Sequence, residues 1–139
     1  MDRNVSLEST PKQRRTDMQP PHETQRLEDC IRLCLECAKL CEQCAAECIR
    51  MDMTGMARCI EMCLDCTDSC LLSARYMSRN SFLHPRACSL SADACQVCMT
   101  ECERMANEHE GRAADILKQC ADACRRCGEL CRQIGMLPS

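Results

Sequence analysis

CIRLCLECAKLCEQCAAEC, residues 30–48, places cysteine at Cys30, Cys34, Cys37, Cys41, Cys44 and Cys48. The steps alternate between four and three residues, the spacing that lines side chains along one stripe of an α-helix. Three further runs repeat it: Cys59, Cys63, Cys66 and Cys70; Cys88, Cys95, Cys98 and Cys102; and Cys120, Cys124, Cys127 and Cys131. Thiols thus fill the stripe that leucine occupies in an ordinary bundle. Four copies of one cysteine-stripe helix form an internal repeat. The fold class this predicts is all-α, an antiparallel four-helix bundle with a cysteine-lined interior.

The remaining composition supports that reading. Eighteen of 139 residues are cysteine, and Tyr76 and Phe82 are the whole aromatic set. The core must therefore be built from Cys, Ala, Met and a modest set of Leu and Ile. A free cysteine packs as a small hydrophobe, so a reduced, metal-free chain can still fold. The length suits one domain with one core. The net charge of −3 is unremarkable, and no basic cluster interleaved with aromatics points to nucleic acid.

Cysteine is denser here than in most secreted disulfide scaffolds, so the compartment decides its use. The N-terminal stretch has no apolar run of the length a signal peptide or membrane span needs. Arg14 and Arg15 form a twin arginine, but Thr16, Asp17, Met18, Gln19, Pro20 and Pro21 follow it instead of an apolar segment. The expectation is a cytoplasmic, reducing setting with no membrane partner, where metal binding is the natural use of many thiols.

Residues 1–21, rich in Ser, Thr, Pro and Arg without a period, read as a disordered tail, and 22–139 as the bundle. The helices are expected near 23–52, 55–79, 85–108 and 112–134. Thr54 suits an N-cap, Pro85 suits a first helical turn, Gly111 separates the last two helices, and Gly135 and Pro138 stop the last helix. Short connections make neighbouring helices antiparallel. Ile31, Leu33, Ala38, Leu40, Ile60, Met62, Ile116 and Leu130 flank the stripes and widen the buried face, while Glu, Asp, Arg, Lys and Gln occupy the far faces. Leu64, Leu71 and Leu72 lie farther round, where they serve either local packing or a contact between subunits.

Residues three and four apart on a helix carry Cβ atoms about 5–6 Å apart. Two thiolates on one turn can share a soft ion such as Cu(I). Six cysteines on the first helix cover roughly 27 Å of axis, a column of sites. An ion between thiolates cancels a buried charge that would otherwise be costly, and loading releases protons. Bridging sulfurs give a stoichiometry on the order of one ion per thiol.

Other uses of the thiols fit less well. Structural zinc takes closed sets of four ligands, usually as pairs on turns, whereas these pairs lie within continuous helices. Iron–sulfur proteins use looped runs of cysteine. A disulfide scaffold needs fewer, better separated pairs and an oxidising compartment. A thioredoxin-like site lacks its βαβ setting. No nucleophile or acid–base pair is visible, so an enzyme is not expected. The readings are a Cu(I) store or, alternatively, a zinc or heavy-metal buffer or a thiol-redox protein cycling disulfides.

The repeated C-x-x-x-C-x-x-C stripes over residues 23–134 resemble those of the bacterial copper storage proteins, and the chain looks like their cytosolic branch. The resemblance implies a four-helix bundle holding many thiolate-bound Cu(I) ions, a homo-oligomer (a tetramer), and storage or detoxification. One departure is the gap between Cys88 and Cys95, where Ser91 takes a stripe position and leaves a site in doubt. Antiparallel order collects Met51, Met53, Met56, Met105 and His109 at one end. Met56, Met105 and His109 continue the stripe register. Thioether and imidazole are weaker, neutral ligands, and the resemblance suggests that such a set is the metal entrance. Leu27, Tyr76, Met77, Phe82, Leu83, Ile134 and Leu137 are expected to plug the other end.

Overall fold

A computed structural model describes residues 21–51 and 55–136. Among these residues the chain forms four helices: α1 (Pro21–Arg50), α2 (Ala57–Ser78), α3 (His84–Asn107) and α4 (Gly111–Gly135). The expected tail, apart from Pro21, lies outside the described residues, as do Thr54, Leu137 and Pro138. Each helix packs on its neighbour in the chain, and α4 closes the ring against α1.

The helix ends follow from local backbone chemistry. α1 opens on Pro21, two residues ahead of expectation, because a first helical position needs no amide hydrogen. α2 starts two residues later than expected, since Gly55 adopts φ 79°, a left-handed conformation that glycine enters without strain. α2 stops in a Schellman motif. Asn80 sits at φ 53°, its N–H donates to the Met77 carbonyl (3.0 Å), and the Ser81 N–H donates to the Tyr76 carbonyl (2.9 Å). Pro85 lies in the first turn of α3, as its sequence position suggests.

The buried interior is largely sulfur and alanine. All eighteen cysteines are buried, and the largest fully enclosed side chains are Met56, Met105, Leu117 and Ile134. Ile31, Leu33, Leu40, Ile60, Met62, Ile116 and Leu130 are partly buried against this core, as their positions beside the stripes imply. α3 and α4 approach closely because Gly128 has no side chain. A Cβ there would stand 3.0 Å from the Cys95 Cβ.

Two carboxylates tie the helices together at one end of the bundle. Glu47 on α1 meets Arg50 (3.0 Å) and Arg112 of α4 (3.3 Å). Glu101 on α3 meets Arg104 (2.6 Å) and Arg58 of α2 (3.7 Å). The polar-face expectation fails at Glu101, which is buried, because this pair of arginines satisfies its charge between α2 and α3. The Arg104 hydrogen bond holds its carboxyl below the usual carboxylate range. The Arg125–Asp122, Arg126–Glu36 and Arg132–Asp93 pairs are solvated and contribute little to stability.

Candidate metal centre

The four stripes converge on one axis. Cys37, Cys66, Cys95 and Cys124, one from each helix, have Sγ atoms within 4.8 Å of one another. The same holds for Cys37, Cys70, Cys95 and Cys127 and for Cys44, Cys63, Cys102 and Cys120, while Cys41, Cys98, Cys120 and Cys124 are as close but take two members from α4 and none from α2. Neighbouring groups share members: Cys37, Cys95, Cys120 and Cys124 each belong to two. The arrangement is therefore a continuous column of sulfur and not a set of separate cages.

Contacts between adjacent thiols run the length of the column. Cys59 lies 3.7 Å from Cys102, and Cys63 lies 3.7 Å from Cys98. Cys66 stands 3.6 Å from Cys95, and Cys41 stands 3.6 Å from both Cys120 and Cys124. Farther along, Cys34 meets Cys127 at 3.6 Å and Cys131 at 3.5 Å, and Cys30 meets Cys131 at 3.6 Å. All eighteen cysteines are free thiols, because these separations far exceed a sulfur–sulfur bond of about 2.05 Å.

Buried thiols so close together cannot all ionise alike. Hydrogen bonds from Cys102 and then Cys63 bring Cys59 down to about 5, and those from Cys127 and then Cys34 bring Cys70 down to about 3. Cys124 is pushed up, through its hydrogen bonds with Cys120, Cys37, Cys41 and Cys66. Some sulfurs thus hold charge while their neighbours keep the proton. A monovalent soft cation placed between them removes that conflict.

The ends of the column differ. At one end Cys48 is followed by buried Met56 and Met105, with His109 half-exposed beside them in sequence register. The His109 Nδ1 lies 2.8 Å from the Met105 carbonyl oxygen. A carbonyl only accepts, so Nδ1 carries the hydrogen, and in the neutral ring the lone pair is on Nε2. Met51 is half-buried in the turn after α1, and Met53 lies outside the described residues.

At the other end Leu27, Met77 and Ile134 are buried and form the seal. The larger plug read from the sequence is not formed. Phe82 is 68% exposed, and Tyr76 sits half-buried beneath Arg79, whose guanidinium is 4.8 Å from the ring. Tyr76 lies in the last turn of α2 and Phe82 in the connection between α2 and α3. Two residues escaped the sequence reading here. Ser73 continues the α2 stripe after Cys70, and His84 begins the α3 stripe before Cys88; both are buried. Their spacing of three and four was the available signal, masked by residue types that usually mark surface.

The fold and this column define the class: a four-helix container for soft metal ions. The chain belongs to the copper storage protein family, whose model matches residues 23–136. Two solved structures are similar. The apo form of copper storage protein 3 from Bacillus subtilis is 33% identical, with a TM-score of 0.66, over 78% of this chain and 97% of that one. The Cu(I)-bound copper storage protein BsCsp3 is 32% identical, with a TM-score of 0.69, over 79% of this chain and 98% of that one. No protein of curated function matches the chain in sequence. Among the described residues no helix is long and apolar enough to cross a membrane.

Proposed function

We propose that this chain is a high-capacity, non-catalytic store for Cu(I) in the cytoplasm, with the eighteen thiols as ligands and the bundle as container. The observation that carries this reading is the sharing of Cys37, Cys95, Cys120 and Cys124 between adjacent sulfur groups. Shared thiolates bridge ions, which suits a soft monovalent metal. Structural zinc takes its own closed set of four ligands. The four-sulfur groups with one member per helix are what favours zinc as a second reading. Anaerobic Cu(I) titration of the reduced chain tests the proposal, and saturation at a few ions per chain counts against it.

Met56, Met105 and His109, with Met51, form the entrance in this reading, and Met53, outside the described residues, is a further candidate thioether from its place in the sequence. A backbone carbonyl fixes the His109 tautomer, as it does for many metal-binding histidines, and leaves Nε2 for the incoming ion. Replacing His109→Ala together with Met105→Leu, which keeps the buried volume, is expected to slow copper transfer to and from a competing chelator. Most of the capacity remains. Transfer rates equal to wild type would remove the entrance assignment.

The bundle also supports association of several copies. Leu64 and Leu71 of α2 and Leu90 and Val97 of α3 are exposed. A groove of about 620 Å³ between these helices is lined by Met62, Leu72, Leu90 and Val97, among others. Such an apolar patch suits a homo-oligomer interface. Light scattering of the full chain reads the assembly directly, and a monomeric mass at micromolar concentration overturns it.

A further inference from the structure

On its α2–α3 side the sulfur column is interrupted at one turn, while it stays continuous along α1 and α4. In α2 the stripe runs Cys66, Cys70, Ser73, Met77, and in α3 it runs Cys95, Ser91, Cys88, His84. The two serines therefore stand at matching steps on facing helices. Both are fully buried, and their Oγ atoms lie 2.5 Å apart. The Ser91 hydroxyl donates to the Ser69 carbonyl at 2.7 Å. With that hydrogen spent, the Ser73 hydroxyl is the donor in the serine pair. Both hydroxyl hydrogens are then occupied, and neither is left for a thiolate.

A hydroxyl oxygen is a hard donor and competes poorly with thiolate for a soft ion. The α2–α3 half of the wall therefore offers no ligand at this turn. Sulfur continues only on the other half, where Cys34 of α1 meets Cys131 of α4 at 3.5 Å and Cys127 meets Cys131 at 3.8 Å. Beyond the serines lie Cys30, Cys88 and Cys131, with Sγ atoms within 4.8 Å of one another. A trigonal ion with metal–sulfur bonds of about 2.3 Å needs sulfurs roughly 4 Å apart. Buried Leu27, Met77 and Ile134 close this end.

We propose that the Ser73–Ser91 pair divides the column into a main chamber and a separate terminal pocket, in which Cys30, Cys88 and Cys131 hold one three-coordinate Cu(I) ion. This rests on the storage reading. The terminal ion enters and leaves along the α1–α4 wall through Cys131, because thiolate-to-thiolate exchange has no partner on the serine side. It is the last ion to fill and the slowest to leave.

The test is release from the fully loaded, full-length protein into excess Cu(I) chelator, followed by absorbance. The wild type is expected to release copper in two phases, with a slow amplitude of about one ion per chain. Cys88→Ala loses the slow phase. Ser73→Ala with Ser91→Ala keeps it, since the turn still lacks sulfur. Ser73→Cys with Ser91→Cys merges it with the main phase and raises capacity.

Single-phase release from the wild type overturns the proposal. So does a slow phase that persists undiminished in Cys88→Ala or vanishes in the paired alanine variant. Circular dichroism of each variant verifies the helices, and the wild-type release stands alone if the cysteine pair fails to fold. Failure of the storage reading is visible separately, as low total uptake during loading. Failure of the partition leaves uptake intact and changes only the phases.

Discussion

Titrated with Cu(I) under anaerobic conditions, the reduced chain is expected to saturate far above four ions, on the order of one ion per thiol. The arithmetic of ligands decides the outcome. Eighteen thiols divided into closed tetrahedral sets hold about four ions. Bridging thiolates at two- or three-coordination hold several times more, and the shared cysteines provide the bridges. Ions displace protons from those thiols that still carry them in the empty protein, so loading acidifies a weakly buffered solution. Affinity correspondingly weakens as pH falls, because the proton competes for the same sulfur. Saturation at about four ions, with zinc displacing copper, would replace the store with a zinc buffer.

Copper loading is also expected to raise the thermal midpoint by more than about 20 °C. The empty bundle is held by small side chains: among its largest fully enclosed residues are only Met56, Met105, Leu117 and Ile134. Each buried cysteine contributes less apolar area than the leucine it replaces. Ions binding the folded state alone add about 4 kcal/mol per site at a free concentration a thousandfold above Kd. Each kcal/mol shifts the midpoint of a domain this size by roughly 3–5 °C. Several sites together leave no accessible unfolding transition until the metal is stripped. Circular dichroism melts of the empty, loaded and chelator-treated protein read this, and midpoints within about 2 °C of each other would mean the metal does not bridge the helices.

The bundle was legible because cysteine marks its stripe unambiguously. From Cys30 to Cys131 every thiol placed on the interior by spacing is buried there. Helix ends were less legible, since they depend on backbone states such as the left-handed Gly55 and Asn80. The interior polar residues were hidden for a chemical reason. Ser73 and Glu101 belong to types that normally face water, and only their partners, the Ser91 hydroxyl and two arginines, make burial tolerable. Ser91 and Arg58 lie on a different helix from the residue they satisfy, beyond the reach of a local pattern, and only Arg104 stands one turn away on the same helix as Glu101. Phe82 misled in the opposite direction. Hydrophobicity suggested burial, but the connection it occupies turns the ring outward.

Ligand sharing makes the container vulnerable to oxidants as a whole. Thiols 3.5–3.9 Å apart need only a small shift to join as a cystine. A cystine that includes Cys37 or Cys124 would disable two neighbouring coordination groups at once. One chemical lesion is thereby multiplied along the axis, so the empty protein depends on cellular reductants more than the filled one, whose sulfurs are already engaged.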